Sequence, residues 1–311
     1  LRAKRLKVSV ILSGKWSRKM RISRVGIIIL ISLSVLIGSN CAYYNRIIAR
    51  KNLVDGAKAY KDRKFKEAEQ LFRAAVNRDP QGTTDEGKTA QLFLARTLHS
   101  QYVGNRSDST LAEQAIEAYK KVLTEKIDDN SSFKAVANLY ENLNKDDEWL
   151  KWVTDRTNNE QVPPDQRAEA LTSLAARKYS CANDISDTPE VKKEVTKGTV
   201  KVYEFKKPEK PEDFDTLKQC AEEGAALIDR ALELEKKANV ESDSTWSYKA
   251  NLLVQKMRVA EMEGKPDEKE ALKKEAEIAK AKFTVLAAEK KKKQDEEDAK
   301  KKAAEEAANK K

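Results

Sequence analysis

One histidine and three cysteines are the residues of this 311-residue chain best suited to nucleophilic, redox or metal chemistry. His99 lies in "LARTLHSQY" with no cysteine or carboxylate at metal-ligand spacing, so it lacks both the partner that orients a general base and the companions of a zinc site. Glycine-rich phosphate loops and nucleophile elbows are absent from the sequence. A solvated or groove histidine is therefore expected, with no cofactor, no metal and no enzyme activity. An enzyme with an unfamiliar site stays as a distant rival, to be revived by small-ligand turnover. The cysteines divide differently: Cys41 borders an apolar stretch, whereas Cys181 and Cys220 flank a segment unlike its surroundings.

Composition narrows what must position these residues. Charged residues make up 36% of the chain and glycines number only ten, which favours helix over a many-stranded fold. The formal charge of +10 is uneven: residues 1–24 carry nine Lys or Arg and no acid, and the remaining 287 residues balance 52 bases against 51 acids. A nucleic-acid groove needs its cationic face on the folded part, so that class of partner is not expected. After the basic head comes "VGIIILISLSVLIGSNCAYY", residues 25–44, twenty residues without a charge. As a helix it rises about 30 Å, the thickness of a bilayer's hydrocarbon core. The positive head leaves the N-terminus in the cytoplasm and sends the rest across. Read from Met20, "MRISRVGIIILISLSVLIGSNC" resembles a bacterial lipoprotein signal ending in a lipidated Cys41. Gly38 and Asn40 replace the Leu and the small residue usual in such signals, so an uncleaved anchor helix stands beside it.

The stretch "GAKAYKDRKFKEAEQLFRAAVNRDP" indicates what is anchored. Ala68, Phe72, Ala75 and Pro80 stand in the A-x3-F, A and P relation of the tetratricopeptide repeat (TPR), with Gly56 at its small-residue position one helix earlier. Two antiparallel helices approach closely only where a side chain is small, so Gly56 and Ala68 mark the crossing and Phe72 fills the adjoining gap. Pro80 is expected to end the second helix. Comparable positions recur at Ala115, Trp149, Gly224 and Ala271, separated by 47, 34, 75 and 47 residues. The excess over the family's 34 is expected in turns, at "VGNRSDST", after Ser180 and at "EGKPD". First-helix partners are Leu94 with Ala95, Val136 with Ala137, Leu174 with Ala175, and Trp246 with Ala250.

On these residues, 52 to about 288 resemble bacterial cell-envelope TPR proteins, anchored or lipidated. The resemblance implies an all-α, TPR-like α-solenoid of about five helical hairpins, with one β-hairpin insertion and an N-terminal membrane helix. Its parts are a basic head 1–24, the anchor or signal 25–44, the solenoid 45–288 with an insertion 182–213, and a charged tail 289–311 expected as an exposed helix or disordered. In the repeat frame, drawn without its insert, Cys181 ends one helix and Cys220 begins the next, so a disulfide is expected to clasp a 38-residue excursion. Two free buried thiols are the alternative. Within that excursion "EVKKEVTKGTVKVYEFKKP" alternates β-branched and charged residues about Lys197 and Gly198, predicting a hairpin over 191–205, with Tyr203 and Phe205 on one face as candidate contacts.

The same frame turns one stripe of each first helix toward a groove: Tyr60, Arg96, His99, Lys134, Asn138, Tyr179 and Asn251. Lys134 with Asn138 is similar to part of the clamp by which some relatives hold a terminal carboxylate. A scaffold for protein partners on the periplasmic or extracytoplasmic side is the expected function, tied to the membrane at its N-terminus. A filament- or ring-forming homo-oligomer is the alternative.

Overall fold

The structure, a computed structural model, describes residues 24–309, with side chains described from 43 to 306 apart from that of residue 197. Almost all of the basic head, the side chains of most of the stretch 25–44, and that of Cys41 lie outside the described residues. Among those described are ten helices and one β-hairpin: α1 (Arg24–Lys61), α2 (Phe65–Val76), α3 (Asp85–Gly104), α4 (Ser109–Glu125), α5 (Asn130–Asn142), α6 (Asp146–Asn158), α7 (Pro164–Ser186), β1 (Lys192–Lys197), β2 (Val200–Phe205), α8 (Pro211–Ala238), α9 (Asp243–Met262) and α10 (Pro266–Asn309). The backbone of α1 passes from the apolar stretch into the first repeat without a break. Among the described residues no helix is long and apolar enough to cross a membrane.

Consecutive helices pair into five hairpins, α1 with α2 through α9 with α10, and each hairpin packs on the next. Three hairpins share one turn. Arg63, Asn144 and Gly264 each adopt positive φ (58°, 53° and 70°) between the helices. The residue after each is a lysine whose N–H reaches back to Ala59, Tyr140 and Ala260 at 2.9 Å, a Schellman closure that satisfies carbonyls at the helix end. "EGKPD" is one of these short turns, so it holds none of the excess length. That length goes into the helices instead: α3 and α9 have 20 residues and α8 has 28, against 13 in α5.

Each second helix buries residues at i, i+4 and i+7: Ala68, Phe72, Ala75; Ala112, Ile116, Tyr119; Trp149, Val153, Arg156; Gly224, Ile228, Ala231; Leu272, Ala276, Ala279. This corrects the expected frame in the last repeat, where Ala271 is exposed and Leu272 is the packing residue. In the second repeat Ala112 precedes the equally buried Ala115 by one turn. Helix α2 stops at Val76, four residues short of Pro80. The segment beyond it is organised by Asp79, whose carboxylate accepts from the amides and hydroxyls of Thr83 and Thr84 at 2.7–3.0 Å. Burial works against its charge, but those four hydrogen bonds win and hold the carboxyl at about 2. The stability this contributes is complete above the usual aspartate range and is lost as pH falls through about 2.

The insertion is shorter than expected. Helix α7 continues to Ser186 and α8 starts at Pro211, so both cysteines lie inside helices and not at their ends. They are joined as a disulfide with Cα atoms 6.2 Å apart. The hairpin pairs Lys192 with Phe205 through Lys197 with Val200, and Gly198 takes the positive φ (65°) that a two-residue turn requires. A lone hairpin is marginal in water, and this one leans on the solenoid. Phe205 packs against the cluster that holds Val191, Leu217, Cys220 and Val259, and the Arg258 guanidinium lies 4.5 Å from the centre of its ring.

A buried polar group sits between α8 and α9. Glu235, 4% exposed, accepts from Thr245 Oγ1 and from the Ser242 amide, and Thr245 also contacts Thr172 at 3.0 Å. Burial raises the Glu235 carboxyl above its ordinary value of 4.5, the hydrogen bonds from Thr245 and Ser242 opposing and Glu241 adding to the rise. The folded state then binds this proton more tightly than the unfolded state. Stability accordingly falls as pH rises from the ordinary glutamate range through the raised value. Glu235→Gln is expected to flatten that part of the profile, read as urea midpoints across it; an unchanged slope assigns the pH dependence elsewhere.

Candidate binding groove

Lys134 and Asn138 are the two expected groove residues that the fold brings to one cavity. They stand one turn apart on α5, along a trough of about 440 Å³ bounded by α5, α6, α7 and α9. Trp149 of α6 is 3% exposed, and the Arg177 guanidinium of α7 lies 3.6 Å from the centre of its ring. A large ring stands here where the repeat favours alanine, and the arginine covers it.

Charges along this trough are mutually satisfied. Lys134 pairs with Glu169 of α7, which also accepts from Asn130 at 2.7 Å. Arg177 reaches Asp146 at 2.7 Å and Glu141 at 3.5 Å. The side-chain amide of Asn142 donates at 2.8 Å to Asn138, to both its carbonyl and its side-chain oxygen. Lys134 thus already holds one carboxylate, while its side chain, 55% exposed, keeps further ammonium donors open to solvent. The trough also offers paired charges, hydroxyls of Ser173 and Ser180, and the half-buried ring of Tyr248. This suits an extended polypeptide of mixed polarity.

The other expected groove residues group apart. Tyr60 shares a hydrogen bond with Ser100 at 3.1 Å and meets Phe65 and Phe93 edge-on. Arg96 lies over Phe93. His99 packs edge-on against Tyr119, its Nδ1 3.4 Å from the phenol oxygen. Burial, then Arg106, lowers the His99 imidazole, so it stays neutral near pH 7. Burial likewise pushes the Tyr119 hydroxyl up to about 12, against an opposing pull from Arg96. Tyr179 meets Tyr248 edge-on near the trough, with Asn251 half-buried one turn further along α9. On the hairpin Tyr203 is 54% exposed beneath Lys192, whereas Phe205 serves as the hairpin's root.

The residues missed by sequence reasoning are Glu169, Arg177 and Tyr248. Glu169, Ser173, Ala176 or Arg177, and Ser180 recur at helical spacing on α7, so the polar stripe was readable. Its pairing with Asp146 and Trp149 depends on where α6 lies, which spacing does not give.

No protein-family model matches this chain, and no curated protein matches it. Among solved structures, nearly identical TPR-like repeats from a Podosopora anserina protein described as a kinesin light chain are similar, at 14% identity and a TM-score of 0.33, over 75% of this chain and 95% of that one. At that score the similarity adds nothing to what the helix packing itself establishes: stacked helical hairpins nested through small side chains.

Proposed function

We propose that this protein is a scaffold of the bacterial cell envelope, anchored through residues 25–44, whose α5–α7–α9 trough holds an extended segment of a protein partner on the extracytoplasmic side. The observation that carries the binding role is the trough itself, a cleft spanning three repeats with satisfied charges and Tyr248 in its wall. For the compartment, support comes from the basic head before an uncharged stretch and from the Cys181–Cys220 bridge, since such bonds persist in oxidising surroundings. Whether Cys41 carries lipid or α1 stays uncleaved as the anchor is decided by mass spectrometry of the mature N-terminus.

Photo-crosslinking from position 138, in native membranes and against a surface control at position 274, tests the binding role. A protein partner captured from 138 and not from 274 is the expected outcome. Equal capture at both sites removes the trough from consideration.

Self-assembly into a filament or ring is the second reading, favoured by apolar residues left open at both ends of the stack. Tyr43, Ile47 and Val54 on α1, and Ile278 and Val285 on α10, are 48–68% exposed. Light scattering over a concentration series separates the two: a constant monomer mass is expected of the scaffold, growth of the subunit.

A further inference from the structure

A second cavity, about 480 Å³, opens between α4, α5 and α6 and shares only Phe133 with the trough. Its wall is apolar: Leu123, Ile127, Val162 and the stacked rings of Phe133 and Trp152, whose centroids are 5.6 Å apart. Arg156 lies in this wall at 6% exposure. Its Nη1 donates to the Ile127 carbonyl at 3.1 Å, its Nη2 to Asn130 Oδ1 at 3.5 Å and to Gln166 Oε1, and its guanidinium carbon sits 4.3 Å from the centre of the Phe133 ring. Its Nε has no partner.

Every acceptor around this cation is neutral. Among the described residues no carboxylate is within ion-pair reach of Arg156, and Asp155, which also lines the cavity, pairs with Lys151 at 2.7 Å. Burial lowers the Arg156 guanidinium from its usual value, while Glu169, Asp128, Asp129 and Asp165 oppose this only from a distance. A buried charge is ordinarily paired, because neutral hydrogen bonds recover only part of its lost hydration. Lys120 adds a second cation at the rim, 6.0 Å from the Trp152 ring and paired with Glu117 at 3.0 Å. The site thus combines an apolar floor with positive charge short of one counter-charge.

We propose that this cavity is a second docking site, taking an apolar side chain with a carboxylate beside it from an acidic–hydrophobic segment of a partner polypeptide. The apolar group seats on Trp152, Leu123 and Ile127, and the carboxylate faces Arg156 and Lys120. The volume lies within the range of ligand pockets. The cavity lies along the α4–α5 and α6–α7 connections, where Ile127 and Asn159 are half-buried at its edge.

The test uses the full chain and a fluorescein-labelled peptide amide of repeated Gly-Asp-Phe, followed by fluorescence anisotropy. Saturable binding is expected, weakened about tenfold or more when Asn replaces Asp, the size of one lost charge-assisted hydrogen bond. Leu123→Trp, which fills the floor, and Lys120→Glu, which reverses the rim, are each expected to weaken it by a similar factor while the helical circular-dichroism spectrum stays unchanged. Arg156 itself is left intact because its removal strips three hydrogen bonds from the fold. Absence of saturable binding overturns the proposal, as does equal binding of the Asn peptide or insensitivity to both variants. Displacement of the peptide by free phenylacetate at concentrations below the peptide's own reassigns the cavity to a small acid and overturns the partner reading.

Discussion

Replacing Cys181 and Cys220 together by serine is expected to lower the unfolding free energy by about 4 kcal/mol while leaving the helical circular-dichroism spectrum at 25 °C unchanged. The two halves of that expectation have separate causes. Helices α7 and α8 pack along their length without the bridge: Ala168 and Leu171 meet Ala231, and Ala175 meets Ile228, each of them 0–1% exposed. The folded arrangement therefore survives the substitution. What changes is the unfolded chain, in which residues 39 apart in sequence are no longer tied together and loop-closure entropy is restored.

The hairpin is not expected to melt with the bridge. Val191 is 2% exposed at its root, the Phe205 amide donates to Glu261 at 3.3 Å, and Arg258 closes over the Phe205 ring. Urea unfolding measures the first effect, and hydrogen exchange at β1 and β2 the second. Mild reduction of the wild type should reproduce the serine variant. A midpoint unmoved in both samples refutes the unfolded-state account, and rapid exchange confined to the hairpin shows that the bridge alone was holding it.

What the sequence makes legible here is mostly local. Small residues beside large ones at helical spacing identified the hairpins, because the close approach of two helices is dictated by side-chain size at one position. Alternation about Lys197–Gly198 located both strands, since period two and a turn glycine are local signals as well. Helix ends were less accessible. Nothing in "SCANDIS" announces that α7 runs to Ser186; that extension is supported from afar, by Gln255 and Arg258 of α9, which bond to Ser186 at 2.7 and 2.8 Å. The last repeat slipped by one residue for a similar reason: Ala271 and Leu272 are both compatible with a helix crossing, and the choice falls to α9. Of the site, Lys134 and Asn138 were found by repeat position, yet their neutralisation by Glu169 and Asn142 belongs to pairings between and along helices that spacing does not specify. The buried, acid-free Arg156 was invisible, because an arginine at i+7 on a charged helix looks like solvated surface until its neighbours are placed.

The first repeat allows the nesting rule to be tested as an energy of interaction. Gly56 has no need of special backbone freedom; it needs space. A Cβ at this position would lie 2.7, 2.9 and 3.1 Å from Phe72 Cε1, Cδ1 and Cζ. That ring is fully buried and stacked on Phe93 at 5.5 Å, so it has little room to retreat. Phe72→Ala should cost about 3–5 kcal/mol, the sum of lost transfer energy and residual cavity. Gly56→Ala alone combines a gain of about 1 kcal/mol in helix propensity with an overpacking loss of about 1–3 kcal/mol, and is expected to destabilise. In the Phe72→Ala background the obstructing ring is gone. The same Gly56→Ala change should then stabilise by about 1 kcal/mol, so that its sign reverses with the identity of a residue 16 positions away. Urea titrations of the four proteins in this cycle measure the coupling. If the two substitutions add within about 0.5 kcal/mol, the glycine is not there to admit the ring, and nesting through small side chains is not what joins α1 to α2.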